Sequence, residues 1–143
     1  MCIRDRDSTI ANNFAFDGGG IGNGAFSNAE NAGTVQVTDS VIEGNAATGH
    51  GGGGGGIVNR GMLSIVRSDV RNNQAEGFGG GLLNRSQGRV TIDESTFSDN
   101  TTDHQGGGIV NDGQLFVSNS TLHNNVSLPV SYTHLTLPTI YSV

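Results

Sequence analysis

The stretch Gly54-Gly55-Gly56-Ile57-Val58-Asn59-Arg60-Gly61-Met62-Leu63-Ser64-Ile65-Val66-Arg67-Ser68-Asp69-Val70-Arg71-Asn72-Asn73 holds three short units in a fixed order. The first is three glycines, an aliphatic residue, any residue, then Asn. The second is Gly, any residue, apolar, any residue, apolar. The third is Ser, any residue, apolar, two more residues, then Asn. The triplet unit recurs as Gly18-Gly19-Gly20-Ile21-Gly22-Asn23, Gly79-Gly80-Gly81-Leu82-Leu83-Asn84 and Gly106-Gly107-Gly108-Ile109-Val110-Asn111. The alternating unit recurs through Val35 and Val37, Val90 and Ile92, and Leu115 and Val117. The serine unit begins at Ser8, Ser40, Ser68, Ser95 and Ser120, at spacings of 32, 28, 27 and 25 residues.

Each apolar unit is too short for a helix, and the alternating one has period two, so each reads as a short strand. Three such strands per repeat, with no helical segment between them, imply a coil that climbs one strand spacing, about 4.8 Å, per turn. Equivalent residues then stack in columns: Ile10, Ile42, Val70, Phe97 and Leu122; Ile21, Ile57, Leu82 and Ile109; Val37, Ile65, Ile92 and Val117. One coil cannot bury these side chains, but stacked neighbours can. The fold expected is therefore all-β: a single-stranded parallel β-helix of about four coils, right-handed because strand twist and crossover handedness favour that sense.

The polar residues suit this plan. Asn13, Asn45, Asn73, Asn100 and Asn125 fall at one corner, where Asn tolerates left-handed backbone and stacked amides form a hydrogen-bonded ladder. The glycine triplets mark a turn needing positive φ or close approach to the next coil. A phosphate-cradling loop would need a following Lys and a helix, and neither is present. Insertions collect at two corners, residues 24–32 and 46–53, where solenoid loops carry binding.

Both ends of the chain read differently. Met1-Cys2-Ile3-Arg4-Asp5-Arg6 can be written ATG TGT ATA AGA GAC AGR. The reverse complement of its first seventeen bases, preceded by one further base and read in a shifted frame, encodes Pro129-Val130-Ser131-Tyr132-Thr133-His134. The shared segment resembles the end of a transposon-based sequencing adapter. Residues 1–6 and 129–143 are therefore expected to be adapter-derived, and 7–128 to be a repeat fragment whose signal peptide and neighbouring coils lie elsewhere. Setting the ends aside removes Cys2 and leaves 5 Arg against 12 Asp and Glu, net −7. That balance disfavours nucleic acid, which is bound through Lys and Arg on phosphates. No apolar run approaches a membrane span.

Gly-Gly-Gly-Ile-x-Asn alternating with apolar-x-x-Asn resembles the repeats of the polymorphic outer-membrane protein family, and more broadly the pectate-lyase-like parallel β-helix proteins. The resemblance implies an extracellular or outer-membrane location in a bacterium. It also implies a passenger or stalk role with glycans or host and cell-surface components as partners. The pectate-lyase-like fold also carries polysaccharide lyases and glycoside hydrolases, so an enzyme fragment is the rival reading.

An enzyme of that kind needs carboxylates gathered on one face. The residue before each repeat serine forms a column, Asp7, Asp39, Arg67, Glu94 and Asn119. Asp39 and Glu94 stand two coils apart, roughly 9.6 Å, at the edge of the separation inverting glycosidases use. The plainer reading is an exposed ladder in which Arg67 separates two like charges. The genuine region lacks Trp and Tyr, the usual sugar-stacking platforms. His50 and His104 occupy one loop position two coils apart, about 10 Å, and are expected to face solvent rather than share a metal. Calcium-binding solenoids carry Gly-Gly-x-Gly-x-Asp, whereas Asn follows these triplets, so neither metal nor cofactor is expected. Four glycosylation patterns, at Asn84, Asn100, Asn119 and Asn125, are what an Asn-rich chain yields by chance.

Overall fold

A computed structural model describes residues 2–24 and 32–128. Nineteen strands run through these residues, every pairing between them is parallel, and there is no helix. The alternating units form the first sheet: β1 (Cys2–Arg6), β5 (Thr34–Thr38), β9 (Met62–Val66), β13 (Arg89–Asp93) and β17 (Gln114–Ser118). The serine units form the second: β2 (Thr9–Ala11), β6 (Val41–Glu43), β10 (Asp69–Arg71), β14 (Thr96–Ser98) and β18 (Thr121–His123). The triplet units supply the fourth: β4 (Ile21–Asn23), β8 (Ile57–Asn59), β12 (Leu82–Asn84) and β16 (Ile109–Asn111). The chain is thus a parallel β-solenoid. Residues 34–111 make three turns, flanked by residues 2–23 on one side and by a partial turn, residues 114–127, on the other.

The turn has four sides, not three. A third sheet of two-residue strands follows each corner Asn: β3 (Phe14–Ala15), β7 (Ala46–Ala47), β11 (Gln74–Ala75), β15 (Thr101–Thr102) and β19 (Val126–Ser127). Its inward residues are small, and Ala47, Ala75 and Thr102 are fully buried. Two-residue strands show no periodicity, so pattern reading passes over them.

The expected columns are aligned residue for residue. Ile10, Ile42, Val70, Phe97 and Leu122 are successive partners in the second sheet. Ile21, Ile57, Leu82 and Ile109 are partners in the fourth, and Val37, Ile65, Ile92 and Val117 in the first. Ile42, Val70 and Phe97 have no exposed surface, while Leu122, in the last turn, is 41% exposed. Burial here comes from neighbours, as a solenoid requires.

Three columns of polar side chains tie the turns together. Asn73 donates its backbone N–H (3.1 Å) and a side-chain N–H (3.0 Å) to Asn100 Oδ1. Its other amide hydrogen goes to the Ile42 carbonyl at 3.0 Å, and its Oδ1 accepts two bonds from Asn45. All the hydrogen-bonding capacity of that amide is used. The pattern repeats from Asn13 to Asn125. A second ladder, unanticipated, runs through Asn23, Asn59, Asn84 and Asn111 at 2.7–2.9 Å. A third passes from each backbone N–H to the serine hydroxyl one turn on, through Ser8, Ser40, Ser68, Ser95 and Ser120.

The left-handed corner residue is one position earlier than expected. Asn12, Gly44, Asn72, Asp99 and Asn124 have φ of 53–63°; the ladder asparagines after them do not. The triplets divide their work. Gly54 and Gly79, first in their triplets, have φ near +66° (67 and 65), where a side chain is costly. The third position faces the next turn: a methyl group on Gly56 would lie 2.6 Å from the Gly81 carbonyl oxygen and 3.1 Å from Asn73 Nδ2.

Cys2–Arg6 joins the first sheet in register with β5, so secondary structure does not stop at Asp7. The chemistry does change there, because Asp5 is paired with Val37 and takes the place of an aliphatic in its column. Residues 129–143 lie outside the described residues.

Replacing Asn73 with Ala leaves two buried donors of Asn45 without an acceptor and is expected to cost about 3 kcal/mol or more. Asn13→Ala, at the first turn, where the exposed side chain only donates to Asn45, should cost under about 1 kcal/mol in the same denaturant titration. Gly56→Ala should cost about 1–3 kcal/mol through overpacking. Gly51→Ala, where a methyl group meets nothing within 4 Å, should leave the unfolding midpoint unchanged.

Candidate functional site

The column Asp7, Asp39, Arg67, Glu94 and Asn119 forms the corner between the first and second sheets. All five residues have positive φ, from 46° to 51°. Asp and Asn tolerate this conformation through local side-chain bonding; Arg67 and Glu94 do not share that tolerance. Strain at a few positions is a common mark of an active site. Here the same dihedral recurs in every turn, so the corner geometry imposes it and no chemistry is needed to explain it.

Arg67 and Asp39 meet as a fork, with Nε–Oδ1 at 2.7 Å and Nη2–Oδ2 at 3.0 Å. This pair holds the Asp39 carboxyl below its ordinary value, mainly through the hydrogen bond from Arg67. Burial opposes that shift, and the Arg67 and Arg6 charges add to it. Glu94, one turn beyond, acts on Arg67 only through its charge. Asp93 is also lowered, by hydrogen bonds from Ser118 (2.7 Å) and the Asn119 amide (3.0 Å). On the far side of the second sheet a parallel pair, Arg71 to Glu43 at 2.9 Å, spans the same two turns. Of the three candidates, the fold brings Asp39 and Arg67 into direct contact and sets Glu94 behind Arg67. A general acid needs its proton held at neutral pH, and the cation between these carboxylates works against that.

The two histidines are not brought together: His50 Nδ1 is 3.6 Å from Glu76, while the His104 ring lies 5.7 Å from that of Phe78. Among the described residues no cluster of three or more His, Cys, Asp or Glu side chains could hold a metal ion. Of the glycosylation patterns, Asn84 and Asn100 are fully buried in the ladders and closed to modification in the folded coil.

The insertion at 46–53 is shorter as a loop than its sequence suggests, because Ala46 and Ala47 belong to the third sheet. The rest is bound down. Thr48 and Gly49 donate N–H groups to the Ala15 and Phe16 carbonyls, and Gly53 donates to Asp17 Oδ1 at 2.9 Å. Asp17 in turn pairs with Arg60 at 3.2 Å, both nearly buried. Only His50 and Gly51 in this loop stay exposed. Of the insertion at 24–32, residues 25–31 lie outside the described residues.

Its root does border a depression of about 440 Å³. Ala32, Gly33, Thr34, Met62, Gln87 and Arg89 are among its walls. Arg89 stacks on the exposed Phe116 ring at 5.2 Å. This guanidinium with a nearby aromatic was not singled out in the sequence, because outward positions of an alternating strand read simply as solvated. Arg89 is in register with Met62 and Gln114, and Phe116 with Thr91, two residues further along the strand.

No protein-family model, curated protein or solved structure matches the chain. Among the described residues no helix is long and apolar enough to cross a membrane, which says nothing of β-barrels.

Asp39 should titrate below its ordinary value in a carboxylate NMR titration, and Arg67→Met should move it upward. Because its folded pKa is depressed, the pair stabilises the coil at and above the unfolded value, near 3.8. That contribution is lost as pH falls through the folded value. It should also shrink with added salt, since both groups reach solvent.

Proposed function

We propose that the coil is a non-catalytic passenger or stalk segment of a secreted or cell-surface protein, one that presents binding loops at its corners. The observation that supports this most is how the polar side chains are used. Among the described residues, only Arg85 Nε is a buried side-chain polar atom without a partner. The asparagines, serines and glycines that dominate the composition join one turn to the next, and the one candidate catalytic column is a repeated corner in which Arg67 is paired to Asp39. Glycans or host and cell-surface components are the proposed partners, and the outer face of a bacterium the proposed location. Residues 1–6 and 129–143 are, on this reading, translated adapter; Asp5 in an aliphatic column supports that at the first end.

The rival, a polysaccharide lyase or glycoside hydrolase using Asp39, Arg67 and Glu94, is separable by experiment. The chain is incubated with pectin, alginate and neutral glycans, and both turnover and retention are measured. Retention without turnover, weakened by shortening 24–32 or 46–53, is the expected result. Turnover abolished by Asp39→Asn or by Glu94→Asn would establish the enzyme instead. Glu94→Asn is a clean control, because Asn suits the left-handed backbone at that corner and should not destabilise the coil.

A further inference from the structure

We propose, resting on the reading of the coil as a non-catalytic binding segment, that the depression beside Arg89 is a saccharide site for a sugar bearing one anionic group. Charge singles out Arg89. Residues 7–128 hold 5 Arg against 12 Asp and Glu, so carboxylates are in excess. Arg60, Arg67 and Arg71 each hold one. Arg85 reaches the Gly51 carbonyl, at 3.3 Å. Arg89 has neither a carboxylate nor a hydrogen-bond partner among the described residues; its guanidinium lies 5.2 Å from the centre of the Phe116 ring. Stacking of that kind leaves the in-plane N–H donors unused.

The walls suit a sugar. Thr34, Met62 and Arg89 are register partners on three successive strands of the first sheet, each paired on both edges. The depression therefore belongs to the middle of the coil and depends on neither end. The Thr34 hydroxyl and the Gln87 amide make no hydrogen bond to any described residue, so both are open to sugar hydroxyls. Met62, 56% exposed, offers an apolar surface to the C–H face of a ring. No Asp or Glu is among the described walls. The volume, about 440 Å³, falls at the small end of small-molecule sites, about 300–1,000 Å³.

Other anionic ligands fit less well. Nucleic acid needs several cations along a track, and Arg89 stands alone on its strand, with Asp93 at the other end. An extended peptide needs an unpaired strand edge, and these strands have none. One fork-shaped cation among neutral polar walls matches one carboxylate or sulfate on a sugar ring, because the guanidinium pairs with either oxyanion through two parallel bonds.

A backbone-amide chemical-shift titration of the full chain tests this. The probes are a glucuronate disaccharide, its uncharged methyl ester and an O-sulfated neutral disaccharide. Shifts at residues 33–34, 61–62 and 87–89 are expected with the charged sugars, and the stronger of the two identifies the group taken. The methyl ester should bind about tenfold or more weakly than the free acid. Arg89→Gln should lose at least as much. Arg71→Gln, which removes the same charge from the second sheet, should lose nothing. Equal binding of acid and ester, or equal effects of the two arginine substitutions, overturns the proposal. Shifts confined to residues 46–53 overturn the site and leave the binding reading standing. If no sugar binds, charged or neutral, the glycan part of that reading fails together with the site.

Discussion

The corner asparagine is the contact on which the rest depends. Its amide bridges two neighbouring turns and also binds a backbone carbonyl, so it fixes the vertical spacing and the registration of each turn at once. Everything beside it is shaped to let it lie there. The residue before it takes the left-handed conformation that turns the side chain inward. The third triplet glycine, on the far wall, leaves no atom where the amide must sit. Buried amides are tolerable only because every donor and acceptor is met, and stacking meets them with copies of the same group.

This explains how a chain with 24 glycines, no tryptophan and 34% hydrophobic residues forms an ordered core. Such a composition in random order is typical of disorder. Periodic placement gives each modest aliphatic a like neighbour above and below, and gives each buried polar group a partner. The cost falls on the ends, where Leu122 and Val126 are exposed and the ladders run out.

The parts of the fold legible in the sequence were those with enough length to show a period. The three aliphatic columns and the first asparagine ladder rest on units of five or six residues repeated four or five times, and they align as expected. The third sheet escaped notice because Ala46–Ala47 and Gln74–Ala75 are too short to alternate. Asn23, Asn59, Asn84 and Asn111 were visible as punctuation, but that they face inward and bond in series follows only from the closed fourth side. Arg67 and Glu94 carry no local sign of left-handed backbone; the corner imposes it. The surface was least legible, since the Arg89 and Phe116 pairing depends on register between strands rather than on any one strand.

The most direct test is a nuclear Overhauser experiment on side chains of the middle turns. Stacked turns predict contacts from the Val70 methyls to Ile42 on one side and the Phe97 ring on the other, and none from Ile42 to Phe97 directly. Contacts joining Ile42 or Val70 to residues in another column, or pairing neighbouring units as antiparallel hairpins, would contradict the solenoid and every inference built on its ladders.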